Sequence, residues 1–197
     1  MRSFRSLLPL FPLLALGACA TGPSPVEATR FHLNQALERG SAMVEPVAGG
    51  DANSLEFRTY AGAVQRELQR VGYVPAERLG TSLFVAVLSI ERDSREGPPR
   101  RSPVSIGLGG GTGGYRGGVG GGISFGLGKK GGGVIVGTRL SVQLKRRADQ
   151  TVVWEGRAET DAQEGSAGAQ PATTAARLAE ALFRDFPGES GRTIRVK

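Results

Sequence analysis

Apolar and polar residues alternate along residues 134–145, with Val134, Val136, Thr138, Leu140, Val142 and Leu144 on one side and Gly137, Arg139, Ser141, Gln143 and Lys145 on the other. Ile135 is the one exception. A period of two predicts a strand with one buried face. The following run repeats the pattern, with Val152, Trp154, Gly156 and Ala158 inward and Glu155, Arg157 and Glu159 outward. Both apolar sets stay on one face only if paired residue numbers add to an even number, and a turn centred on Asp149 meets that condition. The register then sets Leu144 opposite Trp154, Gln143 opposite Glu155 and Arg139 opposite Glu159. The last is an opposite-charge pair worth about 0.2–1 kcal/mol. Glu155, Arg157 and Glu159 therefore read as a solvated strand face rather than as catalytic groups.

Other periods mark the remaining elements. Leu83 to Ile90 is apolar at both parities, which predicts a strand near the sheet centre, covered on both sides or nearly so. Thr29–Leu33 and Ser41–Glu45 are short β-prone runs, the second closed by Pro46. Asn53 is a candidate N-cap with Glu56 three residues on, and Phe57, Tyr60, Ala61, Val64, Leu68 and Val71 then recur at helical spacing until Gly72 stops them. Asp161 to Gln170 reads as a loop. After it, Pro171 opens a second amphipathic helix marked by Ala175, Leu178, Ala179, Leu182 and Phe186 and ended by Pro187-Gly188. Arg192 to Lys197 alternates like a short edge strand. The expected fold is α+β: a mixed, largely antiparallel sheet with two amphipathic helices on one face and a Gly-rich hairpin insert.

That insert, residues 103–133, is the compositional outlier. Of 31 glycines in the chain, 16 fall between Gly107 and Gly133. Val104, Ile106 and Leu108 share one parity, and Val119, Ile123, Phe125 and Leu127 share another, which predicts two strands greasy on one side and bare on the other. Gly109–Gly114 and Gly126–Gly131 match G-x-G-x-x-G in form. Neither follows a strand and opens a helix, as a pyrophosphate site requires. A phosphate-binding Walker loop also fails, because Lys129 precedes Lys130 and position 123 is Ile123.

The front of the chain sets its compartment. Arg2 and Arg5 precede an apolar run from Leu7 to Leu16, and Leu16, Gly17 and Ala18 lead into Cys19, the chain's one cysteine. A transmembrane helix needs about 20 apolar residues, and this run is shorter and broken by Pro9 and Pro12. The layout is that of a secretory signal. It resembles the bacterial lipobox, in which a large aliphatic residue and two small ones precede a cysteine that becomes acylated and N-terminal. The division expected is a signal peptide over residues 1–18, a lipidated tether over 19–27 and an α+β domain over 28–197. Loss of Arg2 and Arg5 with the signal lowers the formal charge from +7 to +5, which suits anionic surfaces by non-specific attraction. Ala20 stands where, in many lipobox proteins, an aspartate retains the protein at the inner membrane, so the resemblance implies the outer membrane, with the domain facing the periplasm.

Phe31-His32-Leu33, Phe57-Arg58-Thr59-Tyr60, Arg101-Ser102-Pro103-Val104-Ser105, Val152-Val153-Trp154-Glu155-Gly156 and Phe186-Pro187-Gly188 with Gly191 resemble lipoproteins of domain-of-unknown-function family 4136. These are strand, turn and helix-stop motifs and carry no catalytic signature. The resemblance implies an envelope domain of helices on a sheet. Gln150 departs from the pattern where glycine is the commoner choice at a left-handed turn position.

Candidate chemistry is sparse. His32 is the one histidine and sits in a β-prone run, and no Gly-x-Ser-x-Gly elbow occurs. The reading is of no catalytic residues, no metal ligands and no cofactor. The expected role is a non-enzymatic interaction module in envelope structure or assembly, in contact with the membrane through its lipid. An envelope protein or a second copy is the expected partner through the Gly-rich hairpin, and nucleic acid is not expected. Carriage of a small amphiphile is the alternative, and a hydrolase the third.

Overall fold

Residues 23–76, 80–98 and 133–197 are described by the structure, a computed structural model. Strand β1 (Val26–His32) is followed by β2 (Ser41–Pro46), helix α1 (Leu55–Arg70), β3 (Val74–Pro75), β4 (Phe84–Glu96), β5 (Val134–Arg146), β6 (Val152–Gln163), helix α2 (Pro171–Phe183) and β7 (Thr193–Val196). The strands form one sheet in the order β3-β2-β4-β5-β6-β1-β7. β2 runs parallel to β3 and β4, and the other neighbours are antiparallel. This is the mixed α+β layout expected. Both helices lie on the same face of the sheet, where α1 packs against α2 and β2, and α2 against β1 and β6.

That face holds the core. Ala86, Leu88, Leu140, Val142, Leu144, Trp154 and Ala158 from the sheet pack with Tyr60, Val64 and Leu68 of α1 and Leu178, Ala179 and Leu182 of α2. Trp154 is 1% exposed, opposite Leu144 as the parity argument requires. Its ring stacks on Phe183 at 5.2 Å, and its Nε1 donates to the Pro187 carbonyl oxygen at 3.0 Å. Gly156 permits α2's close approach, since a Cβ there would sit 2.7 Å from Leu182 Cδ1. Arg30 also faces inward, 2% exposed, and donates from Nε to Leu182 O at 2.9 Å and from its NH2 group to Ala181 O at 2.7 Å. It thereby satisfies two carbonyls that the end of α2 leaves unpaired.

Several local expectations are corrected. The N-cap of α1 is Ser54 rather than Asn53: its Oγ accepts from Phe57 N at 3.0 Å, the N3 amide that a capping hydroxyl reaches. Gly72 does end α1, at φ +98°, with Gly72 N donating to Gln69 O and Tyr73 N to Leu68 O, the bond pair of a Schellman stop. Helix α2 ends at Phe183, before Pro187-Gly188, because Arg184 is extended and Asp185 is left-handed. Strand β1 begins at Val26, inside the expected tether, because Val26 pairs with Val196 and is buried. β4 is not covered on both sides. Val85 is buried, but Leu83 is 60% exposed and the strand beyond Ile90 is open.

The β5–β6 connection holds the most informative correction. Arg146 N donates to Thr151 O and Gln150 N to Arg146 O, closing a four-residue turn in which Gln150 is left-handed at φ 60°. Pairing through this turn is odd, Lys145 opposite Val152, and would turn Trp154 outward. A bulge between that pair and Leu144–Trp154 restores even pairing. Val152 is consequently exposed rather than inward, and Val153 is the valine that packs against the core.

Candidate functional site on the open face of the sheet

The helices cover one face of the sheet, and the odd-parity side chains of its long strands line the other. The register aligns Glu91, Arg139, Glu159, Glu27 and Arg195 in one row across β4, β5, β6, β1 and β7. Arg139 is the bridge, its Nε 3.0 Å from Glu159 Oε2 and an NH1 donor 3.1 Å from Glu91 Oε2. Glu159 and Glu27 are like charges directly opposite each other, and each is held from its other side, Glu27 by Arg195 with Nε at 3.1 Å. One row further along, Asp93 lies over Gly137, where a Cβ would come within 2.5 Å of its carboxylate oxygen. Arg95 reaches across to Asp161 at 2.5 Å. These carboxylates raise the pKa of Arg95 and Arg139 above the usual guanidinium value, chiefly by accepting hydrogen bonds, Asp161 from Arg95 and Glu159 from Arg139. An open hollow of about 770 Å³ lies over these rows, reaching Ser24 and Pro25.

Each arginine of these two rows is paired with a carboxylate and each carboxylate of the central row with an arginine, so the rows present fixed, alternating charge. Among the described residues no cluster of three or more His, Cys, Asp or Glu is placed to hold a metal. His32 lies at the end of β1 with both ring nitrogens used: Nδ1 accepts from Asn34 N at 3.1 Å and Nε2 donates to Gly188 O at 3.0 Å. It staples the chain near Gly188 to the sheet.

A family model described as a domain of unknown function, DUF4136, matches residues 42–188. The chain belongs to this family. One relative is an uncharacterized protein of Zymomonas mobilis, 32% identical, in a match that covers 88% of this chain and 80% of that one. Among solved structures, the PelC dodecamer from Paraburkholderia phytofirmans is similar over 78% of this chain and 91% of its own, with 15% identity and a TM-score of 0.41. A PDZ domain protein from Parabacteroides distasonis is similar over 88% of this chain and 39% of its own, with 10% identity and a TM-score of 0.44.

For this DUF4136 chain, Leu16, Gly17, Ala18 and Cys19 lie outside the described residues, as do the expected signal peptide over residues 1–18 and nearly all of the Gly-rich insert with its expected strands. The Arg139–Glu159 and Gln143–Glu155 pairs stand as the parity argument placed them, the second at 3.2 Å. Sequence reasoning missed Glu27, Glu91, Asp93, Arg95, Asp161 and Arg195. Aligning Glu27 and Arg195 required knowing that β1 lies between β6 and β7, aligning Glu91, Asp93 and Arg95 required the pairing of β4 with β5, and Asp161 falls where the sequence reads as a loop.

Proposed function

We propose that this protein is a lipoprotein anchored in the bacterial outer membrane by acylated Cys19, with its domain in the periplasm, and that it binds another envelope protein through the open sheet face, without catalysis. The observation that carries this reading is the charge row across five strands, left uncovered by the helices and oriented by its own ion pairs. Six strand spacings of about 4.8 Å make the sheet about 29 Å wide. A face of that width along strands as long as β4 and β5 is on the order of the ~800 Å² that each partner contributes to a standard interface. The space between helices and sheet supports the same reading, being filled by Tyr60, Leu68, Trp154, Leu178 and Phe183.

Two measurements test it. Metabolic labelling with a fatty-acid analogue should mark the native protein and not Cys19→Ser, and the labelled protein should fractionate with outer membranes. A photo-crosslinker replacing Arg157 on the open face should give a discrete adduct in intact cells that Arg139→Glu abolishes, while one replacing Glu180 on α2 should not. Adducts from α2 alone, or adducts indifferent to Arg139→Glu, would overturn the open-face assignment.

Binding of a small amphiphile is the second reading. A hollow of about 340 Å³ beside Leu83 and Phe84, rimmed by Arg39 and Arg147, favours it, because ligand sites start at about 300 Å³. Saturable binding of a fluorescent fatty acid, lost in Leu83→Asp, would select it.

A further inference from the structure

Two side chains grip the chain just before β1. The Ser24 carbonyl accepts from the NH2 group of Arg177 on α2, and the Pro25 carbonyl accepts from Thr160 Oγ1 at 3.1 Å. They fix where the N-terminal segment leaves the domain. Glu27 pairs with Glu159, so this departure point lies toward the end of β6, and Gln163 there aligns with Ile135 and, beyond it, Arg95. The same end of the sheet therefore carries Gly97 and Gly133, joined by a hydrogen bond of 2.9 Å. Helix α1 also starts there, since Glu56 pairs with Arg92 at 3.4 Å. Its first residue, Leu55, is 78% exposed, and Arg58, three positions on and so on the same side, is exposed and makes no ion pair with the described residues. The opposite end carries the exposed Leu33, Leu83 and Val152.

From the reading that Cys19 carries the lipid, a length limit follows. The five residues from Cys19 to Ser24 span at most about 18 Å when fully extended. Strands β4 and β5, of 13 residues each, are about 43 Å long. The anchor thus holds one end of the domain at the bilayer, and the other end is beyond its reach unless the domain lies flat. We propose that the end bearing Ser24, Leu55 and Arg58 rests on the lipid headgroup surface, and that the Arg177–Ser24 and Thr160–Pro25 bonds hold the sheet upright on it. A leucine close to an arginine that makes no ion pair among the described residues suits that boundary, the side chain of one entering the acyl margin and the guanidinium of the other meeting phosphate. The end with Leu33 and Leu83 then points away from the bilayer.

The test uses the full-length lipidated protein in phosphatidylcholine–phosphatidylglycerol vesicles whose headgroups carry a quencher. Acylation occupies the Cys19 thiol, so a fluorophore attached through Leu55→Cys or Leu83→Cys has a single site. Quenching several-fold stronger at position 55 than at 83 supports the proposal, and equal or reversed quenching overturns it. In Arg177→Ala combined with Thr160→Ala, with folding verified by circular dichroism, the contrast should collapse. A contrast that persists would remove the two bonds as its cause. Failure of the underlying reading has a separate signature: the protein would not float with vesicles, and Cys19 would react with maleimide.

Discussion

Arg30 and Leu182 are joined across the boundary between sheet and helix: the guanidinium Nε of Arg30, inside the core, donates to the Leu182 main-chain carbonyl at 2.9 Å. Burial lowers the pKa of this arginine and Asp185 opposes that shift, yet a guanidinium keeps its proton in protein interiors. The residue is a permanent cationic cap on the end of α2. Arg30→Met would leave the Ala181 and Leu182 carbonyls buried and unpaired, and should cost about 2–4 kcal/mol in urea titration. Arg30→Lys should recover only part of this, because an ammonium lacks the fork that reaches both oxygens.

Trp154→Ala should cost about 3–5 kcal/mol, since it empties the space among Leu144, Phe183 and Leu182. Trp154→Phe should cost less and isolate the loss of the bond to Pro187 O, about 1 kcal/mol. A loss below 1 kcal/mol for the alanine variant would contradict the packing.

Arg139→Ala should destabilise by no more than about 1 kcal/mol, because the ion pairs it makes are half exposed. The difference from wild type should shrink in about 1 M salt, where the screening length falls to about 3 Å. A difference that survives high salt would mean that Arg139 acts through packing.

Asp149 gives the fold an acid-sensitive turn. The Thr151 amide, then the Thr151 side chain and Arg146, hold its carboxyl below its ordinary 3.8. A depressed folded value stabilises above 3.8 and loses that contribution as pH falls through the lower, folded value. Thermal melts from about pH 5 to about pH 2 should therefore show a shallower acid decline in Asp149→Asn than in wild type.

Gln150→Gly should raise stability by about 0.5 kcal/mol. Relief of a left-handed glutamine exceeds the extra unfolded-state entropy and the lost bond from Gln150 Nε2 to Arg147 O. Chemical denaturation resolves a change of that size, and a loss would show that the side-chain bond dominates.

Local period carried much of this fold into view. Strands β5 and β6, the stripe of α1 and the partners of Leu144, Gln143 and Arg139 followed from alternation and parity, because each concerns neighbours in sequence or across one turn. The tip of the β5–β6 turn did not follow, since the odd turn and the bulge leave the same even register that a simpler turn would. The open-face row was legible only within β5 and β6. Placing Glu27 and Arg195 beside Glu159 depends on a strand from the front of the chain entering between β6 and β7, and no local signal encodes that. Arg30 was missed for a related reason: an arginine at an inward position looks like an error of parity until the end of α2 arrives above it.

The paired irregularities of the β5–β6 hairpin also set where this chain can gain or lose a residue. Val152 and Val153 together oppose one position of β5, so removing either one straightens the ladder and leaves Trp154 opposite Leu144. A one-residue deletion between Trp154 and Ala158 has no such refuge. Every residue beyond it would change sides, sending Ala158 and Thr160 outward and bringing Glu159 and Asp161 against the helices. Length variation among relatives of this chain should accordingly collect at the two valines and at the turn before them, and be absent from the strand that follows.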